Sequence, residues 1–342
     1  MKYDMKYLFF ASLLMIGFCA CGTVFEDGED CPFNPGPNPT PEAVYKIKFD
    51  DSYNMSYADA FSSEISSIAL FVIDNQTNKL VWSKEDTDIA ALKSGNYEVI
   101  LPLNPGTYDF VAWCGITKAD NKEAPSFALS SAYEVNETTM EQLTTQLVNG
   151  IENGEKYIHE TPLTELHNGI LLQQTLTMND TTLVIPLVRN TNNIRVALQR
   201  TDGTDLDAAD FDFSVEASNG IMNYNNELLA DKLRDYRAFN KKNNTSTTGG
   251  TAVVAEMSIA RMVLGKPIRF KATYKESTLI NIPLITYALL VKGYYNEKMT
   301  DQEFLDRQND WNFIFFLNDQ NKWEQSNLYI NDWHVIKNDM IL

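Results

Sequence analysis

Apolar and polar side chains alternate over much of the chain, and this alternation predicts β-strands. Residues 45–49 alternate apolar and charged side chains, which is the period of a half-buried strand. Similar strand-like patterns recur at 182–188, 193–199, 211–216, 252–262, 268–274, 284–291, 311–317 and 328–336. Many short strands with few helices favour an all-β fold of two β-sandwiches over a parallel α/β sheet.

Two pairs of strands are predicted near the start of this pattern. A nearly continuous apolar run at 65–73 is followed by a polar stretch at 74–78 and an apolar segment at 80–82, which is typical of a core hairpin. Residues 97–101 and 107–113 form the second predicted pair.

Elsewhere the strand pattern gives way to other structure. It fades between 118 and 170, where the helical spacing of apolar residues in 138–148 predicts a short helix within a long connection. Residues 240–250 are polar and end in glycine, so they are predicted to form a mobile loop. A capping box at 300–303 predicts a short helix that ends near residue 308.

The first residues are typical of an export signal. Lys2 and Lys6 precede an apolar segment at 7–18, and Ala20 is a small residue directly before Cys21. This order predicts cleavage before Cys21 and attachment of two or three acyl chains to it, which would hold the protein to a membrane. A plain secretory signal peptide with a coincidental cysteine is the alternative.

Together these patterns predict four parts. An acidic run and closely spaced prolines after the signal favour an extended spacer, and the length that follows is sufficient for two cores. The parts are a signal peptide at 1–20, an acidic and proline-rich tether at 21–44, an N-terminal β-sandwich at 45–180 and a C-terminal β-sandwich at 181–342.

Charge and hydropathy restrict the partners. The formal net charge of the 342 residues is -18, so the chain is not expected to follow a phosphate backbone, and nucleic acid is excluded as a partner. No apolar run after residue 20 approaches the roughly 20 residues that span a bilayer. Lipid on Cys21 is therefore the expected membrane contact.

The remaining cysteines leave two interpretations open. Cys19 follows the bulky Phe18 and is a poorer acylation site than Cys21. Cys31 and Cys114 could form one disulfide in an oxidising envelope, or Cys114 could be a small core residue at the end of an apolar strand. We do not interpret them as a metal site.

The sequence lacks the usual catalytic signatures. His159 and Glu160 begin like a zinc-protease helix, but Leu163 stands where the second histidine is needed. Residues 74–85 resemble part of a calcium loop, but Lys79 replaces the glycine of its sharp turn, and a hairpin explains the pattern better. We therefore predict no enzyme activity, cofactor, metal or small-molecule substrate.

Two other kinds of binding remain. Trp113 and Trp311 lie within strand patterns and are expected in the core, whereas Trp323 has polar neighbours and is the expected exposed ring for a glycan. A sandwich with an open edge strand can also accept a strand from another chain.

Five segments, taken in order, suggest a known family: EDCP at 29–32, LNPGTYDFVAW at 103–113, LVRNTNNIRV at 187–196, FLDR at 304–307 and WNFIFFL at 311–317. Together they resemble the fimbrial anchor lipoproteins of the FimB type. The resemblance runs through nearly the whole mature chain. It implies two transthyretin-like β-sandwich domains and attachment at the surface of the outer membrane. It also implies a role in fixing and terminating type V fimbriae, and the expected partner is a fimbrial shaft subunit.

The resemblance carries over one functional residue, Cys21. Stalk subunits of such fimbriae are cut after an arginine near the N-terminus, which removes the lipid and one strand. Here the first arginine is Arg189, so the lipid is expected to stay. Asn331 and Asp332 precede Trp333 where glycine would be expected, so that turn departs from the family pattern. A surface glycan-binding lipoprotein and a fimbrial tip or stalk subunit are the alternative functions.

Overall fold

The computed structural model describes residues 43–119 and 122–335, and most regular structure in them is β-strand. The predicted all-β fold is thereby confirmed. The α-helices in these ranges are short: α1 Phe61–Glu64, α2 Ile89–Leu92, α3 Leu284–Ala288, α4 Lys292–Tyr295 and α5 Asp301–Arg307. Single 3-10 turns occur at Met140–Gln142, Ala208–Asp210 and Leu289–Val291.

The strands fall into four sheets. The strands up to residue 189 are β1 Tyr45–Asp50, β2 Ile68–Asp74, β3 Lys79–Asp86, β4 Val99–Leu101, β5 Gly106–Cys114, β6 Phe127–Leu129, β7 Thr145–Leu147, β8 Ile151–Asn153, β9 Lys156–His159, β10 His167–Leu176 and β11 Thr181–Arg189. The later strands are β12 Thr191–Arg200, β13 Phe211–Ala217, β14 Ile221–Met222, β15 Leu233–Arg237, β16 Asn240–Thr245, β17 Thr251–Ala260, β18 Ile268–Tyr274, β19 Ser277–Pro283, β20 Asp310–Leu317, β21 Trp323–Ile330 and β22 Trp333–Val335.

The first sheet has seven strands in the order β3-β2-β5-β10-β11-β1-β4. Ile47 of β1 and Leu70 of β2 belong to the same buried cluster although their strands are far apart in this order, so the sheet encloses its own core. The other face of β2 and β5, with Phe71 and Trp113, belongs to a second core. Burial on both faces explains why the β2 sequence is apolar without alternation.

Two six-stranded sheets, built mainly from the second half of the chain, form a sandwich. Their orders are β16-β17-β12-β20-β21-β22 and β19-β18-β13-β15-β9-β8. Phe270 of the second sheet stacks on Phe315 of the first, with ring centroids 5.4 Å apart. Strand β13 alternates buried and more exposed residues, as its sequence predicts, because one face covers this core and the other does not.

The connection between β5 and β10 links the two halves. Strands β6, β7 and β14 form a three-stranded sheet, and β9 pairs in parallel with β15. Phe127 and Leu147 of this connection belong to the same core as Phe71 and Trp113. The predicted short helix at 138–148 is wrong, because this segment contains one 3-10 turn and then β7, whose Leu147 is buried in the core shared with β2 and β5.

Three further local predictions need correction. Residues 284–291 are helical, not extended: Leu284, Ala288 and Val291 recur at helical spacing and are buried on one side, and a short apolar run does not distinguish these two structures. Residues 240–250 contain β16, which pairs with β17, instead of a mobile loop. The segments at 97–101 and 107–113 do not pair, because β4 joins β1 and β5 joins β2 and β10.

The segment at 328–336 also contains more than one strand. Ile330 pairs with Trp333 across a turn in which Asn331 and Asp332 have φ of 47° and 70°. Asparagine and aspartate tolerate positive φ, so a two-residue hairpin forms here without the glycine expected from the family pattern. The predicted hairpin of β2 and β3 is confirmed, with its turn at 75–78.

The division into two domains near residue 181 remains a prediction. Strand β11 begins at Thr181 yet pairs with β1 and β10 of the first sheet, and the change of sheet comes between Arg189 and Thr191. Strand β9 lies before residue 181 and pairs with β15 of the third sheet.

We predict that His159 makes stability depend on pH. Its ring is buried and stacks on Tyr236 at 5.1 Å, and burial followed by the charge of Arg234 lowers the pKa of His159 to about 4. Because the unfolded histidine titrates near 6.5, the unfolded chain binds the extra proton between these values, and the contribution of His159 to the free energy of unfolding falls as pH falls from about 6.5 to 4. This fall is at most about 3 kcal/mol.

Urea denaturation across this pH range checks the prediction. His159→Gln is expected to flatten the dependence on pH, whereas His334→Gln, at an exposed site, should leave it unchanged. Equal slopes for His159→Gln and the wild type would contradict the assignment.

Candidate functional site

Strand β1 is the first described strand, and it lies inside a sheet. It pairs in parallel with β11 over residues 45–50 and antiparallel with β4 over residues 45–47. Hydrogen bonds on both sides mean that β1 cannot leave the sheet without breaking two ladders. Displacement of β1 would therefore disturb both β11 and β4 of the first sheet.

Side chains reinforce this position. Tyr45, Ile47 and Phe49 point into the core of the first sheet and are at most 7% exposed. The Tyr45 hydroxyl donates to the Thr177 carbonyl at 2.5 Å, and the Lys46 ammonium lies 2.6 Å from the Glu98 carboxylate. The strand is thus held by packing, by its ladders and by polar contacts at its N-terminal end.

Arg189, the first arginine in the sequence, is held at the end of β11. Its guanidinium lies 3.4 Å from a Glu64 oxygen and 3.3 Å from a Glu165 oxygen, and its side chain is 11% exposed. Because an arginine-specific protease needs an accessible, extended segment, a paired strand that ends in an ion-paired arginine is a poor substrate.

A group of ionisable side chains lies beside Arg189. His167 is 1% exposed, and its Nε2 atom lies 3.6 Å from an oxygen of Asp51 and 3.6 Å from an oxygen of Glu64. Burial raises the pKa of Asp51 to about 6, partly opposed by the charge of His167. The sequence carries no local signal for this group, because its members are distant in sequence and match no motif.

The structure describes one of the three cysteines for which the sequence predicts a role, Cys114. Cys21, the predicted acylation site, and Cys31 lie outside the described residues. Cys114 ends β5, is 1% exposed and lies in the first core, where burial raises the pKa of its thiol. The proposed disulfide between Cys31 and Cys114 stays a prediction.

The aromatic predictions are confirmed in the core and wrong at the surface. Trp113 and Trp311 are buried. Trp323 is not a free ring, because it packs edge-on against Phe315 at 5.5 Å. Instead Trp333 is 40% exposed and stacks on Tyr294, with centroids 4.5 Å apart.

Among the described residues, no helix has the length and apolar character needed to cross a membrane.

A family model described as fimbrillin-A associated anchor proteins Mfa1 and Mfa2 matches residues 28–339. The chain belongs to this Mfa2 family of anchor proteins. The resemblance seen in the sequence is thus confirmed, and because the family is structural, the prediction that the chain is not an enzyme is confirmed as well.

Solved structures agree with this assignment. A candidate adhesin from Bacteroides thetaiotaomicron has 29% identity and a TM-score of 0.77, covering 87% of this chain and 99% of that one. A candidate polysaccharide-binding protein from the same species has 26% identity and a TM-score of 0.75, covering 86% and 98%. No curated protein matches the chain.

The fimbrial anchor protein Mfa2 from Porphyromonas gingivalis shares the fold. Its identity is 15% and its TM-score 0.64, covering 86% of this chain and 99% of that one. Membership of the Mfa2 family indicates a cell-surface location and association with other fimbrial subunits.

We predict that β1 is part of the cooperative core. Ile47→Ala removes buried atoms from a fully covered position and should lower the free energy of unfolding by about 2 to 5 kcal/mol. Lys48→Ala, at an exposed position on the same strand, should change it by less than about 0.5 kcal/mol. Urea denaturation measures both, and similar small effects would contradict a structural role for β1.

Proposed function

We propose that this chain is a surface lipoprotein of the outer membrane that anchors fimbriae to the cell and terminates or limits their assembly. Acyl chains on Cys21 hold the membrane, and the folded part holds a fimbrial shaft subunit. Membership of the Mfa2 anchor family is the observation that carries this proposal.

The arrangement of β1 supports an anchor over a stalk subunit. An anchor keeps its lipid, so its N-terminal strand must remain joined to the tether. Strand β1 is paired on both sides, and Arg189 is ion-paired at the end of a strand. The segment between Cys21 and β1 contains no arginine, so an arginine-specific protease has no site there.

Replacement of the acylated cysteine tests the proposal. In cells that carry Cys21→Ala, the protein and the fimbriae should both appear in the medium, because the protein lacks its lipid and the fimbriae are held to the cell through this protein. Cys19→Ala is the matched control and should leave both on the cells. Immunoblotting of cell and medium fractions, with electron microscopy of the fimbriae, provides the measurement.

Two results would overturn the anchor function. One is the finding that fimbriae stay attached to the cell and keep their normal length after the protein is deleted. The other is a mature N-terminus downstream of Cys21 in mass spectra of isolated outer membranes, which would favour a tip or stalk subunit.

A glycan-binding surface lipoprotein is the second candidate. Exposed stacked rings suit the apolar face of a sugar, and Trp333 with Tyr294 supplies them. The similar structure described as a candidate polysaccharide-binding protein supports the same function.

If this second candidate is correct, Trp333→Ala should abolish binding on a glycan array. Tyr57→Ala, which removes another exposed ring, is the control and should retain binding. Absence of glycan binding by the wild type would exclude the second candidate and leave the anchor function untouched.

A further inference from the structure

Three ionisable side chains from separate segments meet at the C-terminal end of β1. Asp51 directly follows β1, Glu64 is the last residue of α1, and His167 is the first residue of β10. We propose that these three residues bind one divalent transition-metal ion, for which Zn²⁺ is the best match.

His167 provides the first reason. It is 1% exposed, and its Nε2 atom has no hydrogen-bond partner among the described residues. A buried imidazole nitrogen without a partner costs free energy, and a metal ion would satisfy it. The atom faces carboxylate oxygens of Asp51 and Glu64, which are the other ligands that zinc accepts.

The distances fit a common ion. Two ligands that each lie about 2.1 Å from a zinc ion are at most about 4.2 Å apart. The Nε2 atom of His167 lies 3.6 Å from Asp51 and 3.6 Å from Glu64, and both distances are below this limit. All three ligand atoms lie within 4.8 Å of one another, so a small shift of Glu64 towards Asp51 would complete the site. Because the Glu64 side chain is 34% exposed, it can adjust its position and leaves a path from solvent.

The charges around the group also favour a cation. Asp59 lies next to Asp51, since one of its oxygens accepts a hydrogen bond from the Asp51 backbone at 3.0 Å. Glu165 adds a further carboxylate beside Arg189, which is the cation paired with Glu64. The same Glu64 oxygen, Oε2, faces both Arg189 and His167. Rotation of the carboxylate would let one oxygen pair with Arg189 while the other holds the ion.

The donor set selects the class of metal. Imidazole nitrogen with two carboxylates suits Zn²⁺ and related transition metals better than Mg²⁺ or Ca²⁺, which prefer oxygen ligands alone. Three protein ligands leave a fourth position for water. The bound ion would join the end of β1 to α1 and β10, and this inference does not depend on the anchoring role.

Calorimetric titration of the full mature chain tests the proposal. The protein is extracted from membranes in detergent, treated with a chelator, and titrated with ZnCl₂ in the presence of excess Mg²⁺. We expect one equivalent to bind and the melting temperature to rise with zinc concentration. His167→Gln should weaken binding by at least about 10-fold, and His334→Gln, which is exposed, should not change it.

Glu64→Gln is the second variant, chosen because this partly exposed residue is replaced by one of nearly the same size. It should also weaken binding by at least about 10-fold while melting close to the wild type without metal. If His167→Gln does not fold, Glu64→Gln decides the question. Wild-type protein that binds no zinc, or a Glu64→Gln variant that binds it equally well, would overturn the proposal.

Discussion

At Asn190 the backbone crosses from the first sheet into the second, and the rest of the structure depends on this crossing. Strand β11 pairs with β1 and β10 in the first sheet, and β12 pairs with β17 and β20 in the second, with Asn190 alone between them. Asn190 is fully buried, so its polar groups need partners. Its backbone N–H donates to the Leu166 carbonyl, and its side chain exchanges hydrogen bonds with Asn226.

This crossing also positions the charged residues near β1. Arg189 immediately precedes Asn190 and stands opposite His167 in the ladder of β10 and β11. The same ladder brings both residues close to Glu64 and to the end of β1. One backbone arrangement therefore determines that the first arginine is ion-paired, that β1 lies inside the sheet and that a histidine is buried among carboxylates.

Burial of β2 and β5 on both faces joins the two halves of the chain. One face of these strands closes the core of the first sheet, and the other packs against the connection between β5 and β10. That connection continues into β9, which adds to the sheet of β13 and β15. His159 ends β9 and stacks on Tyr236 of β15, so residues from both sides of position 181 share one buried environment.

The sequence by itself determined the all-β class, most strand positions, the hairpin at 75–78, the cap at Thr300 and the anchor family, because periodicity, turn residues and family segments are local features. It did not determine that 284–291 is helical, that Trp323 is packed or that Trp333 is exposed. Only the tertiary structure decided these points and the meeting of Asp51, Glu64 and His167, because burial and contact depend on which strands become neighbours. Strand pairing joins residues more than a hundred positions apart, and no local pattern records that choice.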